Sequence, residues 1–264
     1  MGSYLALLKG GYKEALQYRF DFVVGLLRVP LTLIIFYFLW KAVFAFNGTD
    51  VINGYTFETM IGYYVLSMIV GMFTWMDVDN WLRWDVKSGE VVSEFMRPLN
   101  FVFQYLFRQW GMSTLSIFIS LVPTFLIGYL FVGLMFFGWL NFVFFTISVV
   151  LAMFIVFLIT MFIGLLAFWL TDISGLIKVK NMFIAFLSGS LVPLSFFPGI
   201  IQKVFAFLPF QYMRYVPVNI YLGIYSVNET LFHLGVMVLW VVVLYIFVHY
   251  QSKLALKKMS GVGI

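Results

Sequence analysis

The stretch "LNFVFFTISVVLAMFIVFLITMFIGLLAFWL", residues 140 to 170, contains no Asp, Glu, Lys or Arg. A helix needs about 20 mostly apolar residues to cross about 30 Å of hydrocarbon. This run exceeds that need, so it is expected to tilt or to continue past the membrane. Five further apolar runs of spanning length follow the same logic, at 23–46, 57–77, 107–132, 181–201 and 230–250. None shows the alternating ten-residue pattern of a membrane β-strand. The expected fold is therefore an all-α integral membrane protein, one domain over residues 1–264 with six transmembrane helices.

Composition agrees with a chain solvated by lipid. Only 10% of residues are charged and mean hydropathy is +1.03, whereas a soluble domain carries roughly 25% charged residues. The chain has no cysteine, which removes disulfides and thiolate metal sites.

Residues 3–20, "SYLALLKGGYKEALQYRF", lack the continuous apolar core of a signal peptide. Leu5, Leu8, Tyr12, Leu16 and Phe20 recur three or four apart, with Lys9, Lys13 and Gln17 opposite. That pattern predicts an amphipathic helix lying in the membrane interface. Gly10 and Gly11 weaken it, and a frayed tail is the other reading.

Basic residues near short loops stay on the cytoplasmic side. With the N-terminus inside, all of the 16 Lys and Arg except Lys41, Lys203 and Arg214 fall inside. The expected topology places both termini in the cytoplasm and the protein in a plasma membrane, such as a bacterial inner membrane. The net charge of +5 then faces anionic membrane lipids, and no soluble basic domain exists to hold nucleic acid.

The densest run of charges, "RWDVKSGEVVSEFMRPLN" at 83–100, falls in the cytoplasmic loop after the second span. Within it Val91, Val92, Phe95 and Met96 form one helical face, and Glu90, Ser93, Glu94 and Arg97 the other. Ser88 or Gly89 can start this helix and Pro98 ends it, which predicts a helical segment over 88–98. About two turns are unstable alone in water, so the membrane surface or a partner must hold it. Anionic headgroups repel Glu90 and Glu94, which favours a protein partner over the membrane.

A second dense cluster is "PLSFFPGIIQKVFAFLPFQYMRYVPVNIYLG" at 193–223, apolar yet broken by Pro193, Pro198, Pro209 and Pro217. Two readings stay open: short helices dipping back into the outer leaflet, or a loop packed on top of the bundle.

Ionisable groups near the bilayer midplane are scarce, which counts against a gradient-driven carrier. Arg28 and Lys41 can snorkel to the two surfaces. Asp77, Asp79 and Asp172 sit at inner span ends, and Glu58 is a first-turn acid with Thr56 as its cap. A secondary transporter or channel remains the alternative. His233 and His249 are too far apart on one helix to share a metal or act together as an enzyme site. Gly62, Ser67, Gly71, Gly164, Ser188 and Gly189 read as close-packing positions. Met60, Met68, Met72 and Met76 form either packing or an adaptable face for a hydrophobic cargo.

In order, the amphipathic start, six spans, "SGEVVSEFMRPLN", "LVPLSFFP", "LPF" and "YVPVNIYLG" resemble the membrane subunit of an ABC-2 type transporter, the permease of an ATP-binding-cassette exporter. The resemblance covers essentially the whole chain. It implies that Glu90, Val91, Val92, Glu94, Phe95, Met96 and Arg97 form a coupling helix seated in an ABC ATPase. It also implies that 3–20 is an interfacial helix and 199–223 a re-entrant outer segment. Such permeases pair with a second permease, a copy or a homologue, and cargo passes between them. On that analogy Met68, Met72, Phe196 and Phe197 are the expected path residues, for a hydrophobic or amphipathic substrate. No G-x-x-x-x-G-K-[ST] loop occurs in the chain. The chain itself is expected to carry no cofactor and no enzymatic site, with ATP and Mg bound by the ATPase.

Overall fold

The computed structural model describes residues 2–15, 19–132 and 138–260. Helix α1 (Gly2–Ala15) precedes α2 (Arg19–Asn47). Leu16 and Gln17, part of the expected interfacial helix, lie outside the described residues. Helix α1 packs along α6 (Phe101–Val132). A Cβ on Gly111 would collide with the Leu8 carbonyl, so the missing side chain is what lets the two backbones approach.

After α2, strands β1 (Val51–Ile52) and β2 (Tyr55–Thr56) form a small antiparallel hairpin. Its turn is Asn53-Gly54 with both residues at positive φ, 49° and 86°. That is the combination a two-residue hairpin turn requires. Thr56 then caps α3 (Phe57–Thr74), accepting from the Thr59 N–H while the Thr59 hydroxyl accepts from the Thr56 N–H. Two donors that a helix start leaves unpaired are thereby satisfied.

Helix α3 is the centre of the bundle, with Met60, Tyr63, Val65 and Val70 fully buried. It is flanked by α2, α6 and α7 (Trp139–Leu165). Helix α7 is the second pillar, packed against α3, α4 (Val78–Ser88) and α11 (Val227–Ser260). Its buried face runs Ala152, Ile155, Val156 and Met161. Gly164 lies 3.0 Å, measured from where a Cβ would sit, from the Asp79 backbone, so α4 rests directly on α7. Trp139 and Trp169, both exposed, bracket α7 and the short 3-10 turn that follows it. At 1.5 Å per residue they stand about 45 Å apart, the thickness of a bilayer with its headgroups.

Among the described residues, four stretches are long and apolar enough to cross a membrane: Pro30–Asn47, Phe57–Ser88, Trp139–Phe168 and Val227–Lys258. Ser120–Leu130 on α6 is a shorter apolar stretch. The run expected to span from 181 to 201 folds differently. Helix α8 covers Ser174–Leu187, about 21 Å at the helical rise and shorter than the hydrocarbon core. The chain then turns at Gly189, whose φ of 80° favours glycine. It continues through α9 (Gly199–Ala206), a 3-10 turn at Pro209–Met213 and α10 (Tyr215–Tyr221).

A helix that breaks among apolar neighbours must find partners for its freed carbonyls. Here the Tyr215 N–H donates to Ser188 O at 3.0 Å. The Tyr63 hydroxyl donates to Gly189 O at 2.7 Å, and the Tyr64 hydroxyl to Leu191 O at 2.8 Å. Two adjacent tyrosines of α3 thus hold the turn after α8. The Tyr55 hydroxyl donates to Asn219 Oδ1 at 2.8 Å and fixes α10 to the hairpin.

The segment from 209 to 221 packs between α3 and α7. Arg214, assigned from sequence to an outer loop, has its guanidinium against Gly71, 2.9 Å from the Cβ position. Gly71 is about 21 Å along α3 from Phe57, so this arginine belongs to the depth of the bundle. Residues 209–221 of the proline-broken cluster are thus packed into the bundle, whereas α9 before them has no buried residue.

Candidate functional site

The charged segment forms an elbow of two short helices. Helix α4 ends at Gly89, whose φ of 81° and N–H bond to Val86 O make a left-handed stop. Helix α5 (Val91–Met96) follows, within the predicted 88–98 segment. Asn100 then starts α6, its side-chain oxygen accepting from the Val102 N–H at 3.0 Å.

Six residues do not make a stable helix alone, and this one is held by its own chain. Phe95 stacks on Phe101, ring centroids 4.1 Å apart and 9° from parallel, with Phe168 beyond. Gln104 Nε2 donates to Glu94 O and to Leu99 O. Arg97 binds Glu94 at 2.7 Å. Beneath the elbow, the Tyr105 hydroxyl donates to Asp85 Oδ2 at 2.6 Å.

The seven residues singled out on this helix divide. Val91 is buried, Phe95 packs into the core and Val92 is half-buried. Met96 is 80% exposed, and Glu90 and Arg97 are exposed beside it. Glu94 is partly covered. Burial pushes its carboxyl up from the usual range, against the pull of Arg97. The exposed tip is thus Glu90, Ser93, Met96 and Arg97. Trp84, 60% exposed between Arg83 and Lys87, borders it.

Two ion pairs of opposite polarity join α4 to the segment carrying α8. Lys180 Nζ lies 2.5 Å from Asp79 Oδ2, with side-chain exposures of 5% and 0%. Arg83 meets Asp172 at 3.2 Å in a more open setting. The Ser174 N–H and hydroxyl also bind Asp172, and with Arg83 they hold its carboxyl below the usual range. Asp79 and Asp172, read from sequence as isolated interfacial acids, are the two anions of a crossed clasp. Their partners lie far away along the chain, so no local pattern announces them.

Of the candidate path residues, Met68, Met72 and Phe196 border one cluster on α2 and α3. Phe196 meets the Trp40 ring edge-on at 5.1 Å, whereas Phe197 packs on Phe205 of α9. Met60 and Met76, of the same methionine series, are buried.

The family model for the ABC-2 family transporter protein matches residues 30–263. The chain belongs to the ABC-2 transporter family. The match covers the elbow and the proline-broken segment and begins within α2, after α1. No curated protein matched the chain. An ABC-2 protein is a membrane transport component, consistent with the apolar helices described above.

Proposed function

We infer that this chain is the permease subunit of an ATP-driven exporter, coupled to a separate ABC ATPase that binds ATP and Mg. The observation that carries the reading is α5: a short helix fastened to an ABC-2 bundle, with Met96 and Arg97 turned outward. An apolar anchor with a charged neighbour suits docking into a protein groove. Arg83, Lys87, Arg97 and Lys258 gather at this end, Lys258 lying 6.0 Å over the Trp169 ring. By the positive-inside rule that end is cytoplasmic, as are both termini.

Six crossings follow if α6 spans fully and α8 crosses together with its continuation to α9. The segment 199–223 then acts as a re-entrant outer element. Two permeases enclose the path, with Met68, Met72, Phe196 and Phe197 near it, for a hydrophobic or amphipathic cargo. The compensated Asp79–Lys180 pair is a structural joint in this scheme, not an ion-coupling site.

The experiment is purification from native cells in mild detergent, followed by mass spectrometry. Wild type should bring an ATPase carrying a phosphate-binding loop, and Met96→Asp, at an 80% exposed position, should lose it while keeping its melting temperature. An intact permease that brings no ATPase, under conditions where other complexes survive, overturns the reading in favour of a gradient-driven carrier.

A further inference from the structure

The stretch Phe57–Ser88 is long and apolar enough to cross a membrane, yet its helix is broken. Helix α3 ends at Thr74, α4 starts at Val78, and residues 75–77 between them are not helical. Broken backbone inside such a stretch needs partners from elsewhere. A single side chain of α6 supplies them on both sides. Gln109, 3% exposed, accepts from the Asp77 N–H at 3.2 Å and donates to Trp75 O at 3.3 Å and to Ser113 Oγ at 2.8 Å. Asp77 belongs to α4, since its carbonyl accepts from the Asn80 and Trp81 N–H groups, whereas Trp75 closes α3. One amide thus holds the end of one helix and the start of the next.

Gln109 is also the last of three rungs. Phe101, Tyr105 and Gln109 stand at i, i+4 and i+8 on one stripe of α6, about 12 Å long at the helical rise. All three are buried. Phe101 grips α5 through Phe95, Tyr105 grips α4 through Asp85, and Gln109 grips the break. We propose that Gln109 is a positioning residue for transport, bracing the α3–α4 break against α6. The elbow and the span above it then keep a fixed angle, and a push on α5 moves α3 instead of bending the chain at 75–77. Without the brace, three residues outside the helical ladder form a hinge that absorbs the push. A buried amide serving only as a cap would hold one helix end, not two. The inference rests on the ATPase-coupled reading above.

The chain has no cysteine, so nitroxides can be attached through Phe46→Cys and Lys87→Cys. Phe46 is 93% exposed on α2, which packs against α3, and Lys87 is exposed on α4. The full chain is thinned with unlabelled chain in nanodiscs, and the distance within one chain is read by pulsed electron resonance. The reading is repeated on the co-purified ATPase complex with a non-hydrolysable ATP analogue. Wild type is expected to give one narrow distance that nucleotide does not shift. Gln109→Met, which keeps the shape and loses the bonds, should broaden that distance and let nucleotide shift it, with the ATPase still bound. Gln109→Asn, polar but too short to reach both sides, should do the same if the methionine variant folds poorly. Ser113→Ala, which leaves both bonds to the break, should match wild type. Widths in both Gln109 variants equal to wild type overturn the brace. So does a nucleotide shift in wild type, or equal broadening by Ser113→Ala. A wild type that brings no ATPase defeats the coupled reading, and the widths alone then decide the brace.

Discussion

Lys180 reaches 2.5 Å from Asp79 across more than a hundred residues of chain, and both side chains are closed off from solvent. Breaking such a pair on one side strands a buried charge, which costs about 3–5 kcal/mol. Asp79→Leu and Lys180→Met are each expected to destabilise by that order. The double replacement Asp79→Leu/Lys180→Met should recover most of the loss. Thermal unfolding in detergent over the four-member cycle checks this, and simple additivity would refute the coupling.

Tyr63 and Tyr64 differ from phenylalanine by one hydroxyl each, yet each hydroxyl satisfies a carbonyl of the broken backbone. Tyr63→Phe and Tyr64→Phe should each cost about 1–3 kcal/mol, and amide exchange should rise around 188–191. Gly189→Ala adds a Cβ at 2.7 Å from the Tyr63 hydroxyl as well as positive-φ strain. It should therefore be the most damaging of the three in a thermal-melt comparison.

At the elbow, inward and outward residues should separate stability from coupling. Phe95→Ala removes the stack on Phe101 and is expected to cost about 2 kcal/mol, less than full burial would give. Met96→Asp should change stability by less than about 0.5 kcal/mol and yet abolish ATP-dependent transport in proteoliposomes containing the ATPase. If both variants lose only stability, α5 has no coupling role.

Glu94 on the elbow and Asp172 in the clasp should show opposite pH slopes. Asp172 is held below its ordinary range in the fold. Its contribution is present above the unfolded pKa near 3.9 and is lost as pH falls through the lower folded value. Glu94 is pushed up by burial. The native state therefore loses stability as pH rises from the unfolded pKa of about 4.3 through the higher folded value. Melting temperatures over about pH 3–6 should flatten on the acid side in Asp172→Asn and on the upper side in Glu94→Gln.

Hydropathy alone located most of the long helices, because lipid solvation writes itself into continuous runs. It did not show the break inside 181–201, where the sequence reads as one continuous run but Gly189 turns the chain and distant tyrosines hold the turn. A helix within 88–98 was legible, but its start was not: Ser88 and Gly89 close α4, and Glu90 precedes the shorter Val91–Met96 helix without a side-chain cap. Its apolar side was not resolved, since the choice between Phe95 and Met96 depends on Phe101 and Phe168, which lie outside the helix. The clasp was invisible for a similar reason: Asp79 and Lys180 each look like ordinary interfacial charges until the fold brings them together. The Asn53-Gly54 turn carried a local signal, but strands of two residues are too short to show alternation.

The fastening of α5 joins a surface feature to a long element. Helix α5 has six residues and α6 has 32, about 9 Å against about 48 Å at the helical rise. Through the Phe95–Phe101 stack the short helix sits on the first turn of the long one, so whatever seats α5 also touches the end of a helix as long as a bilayer is thick.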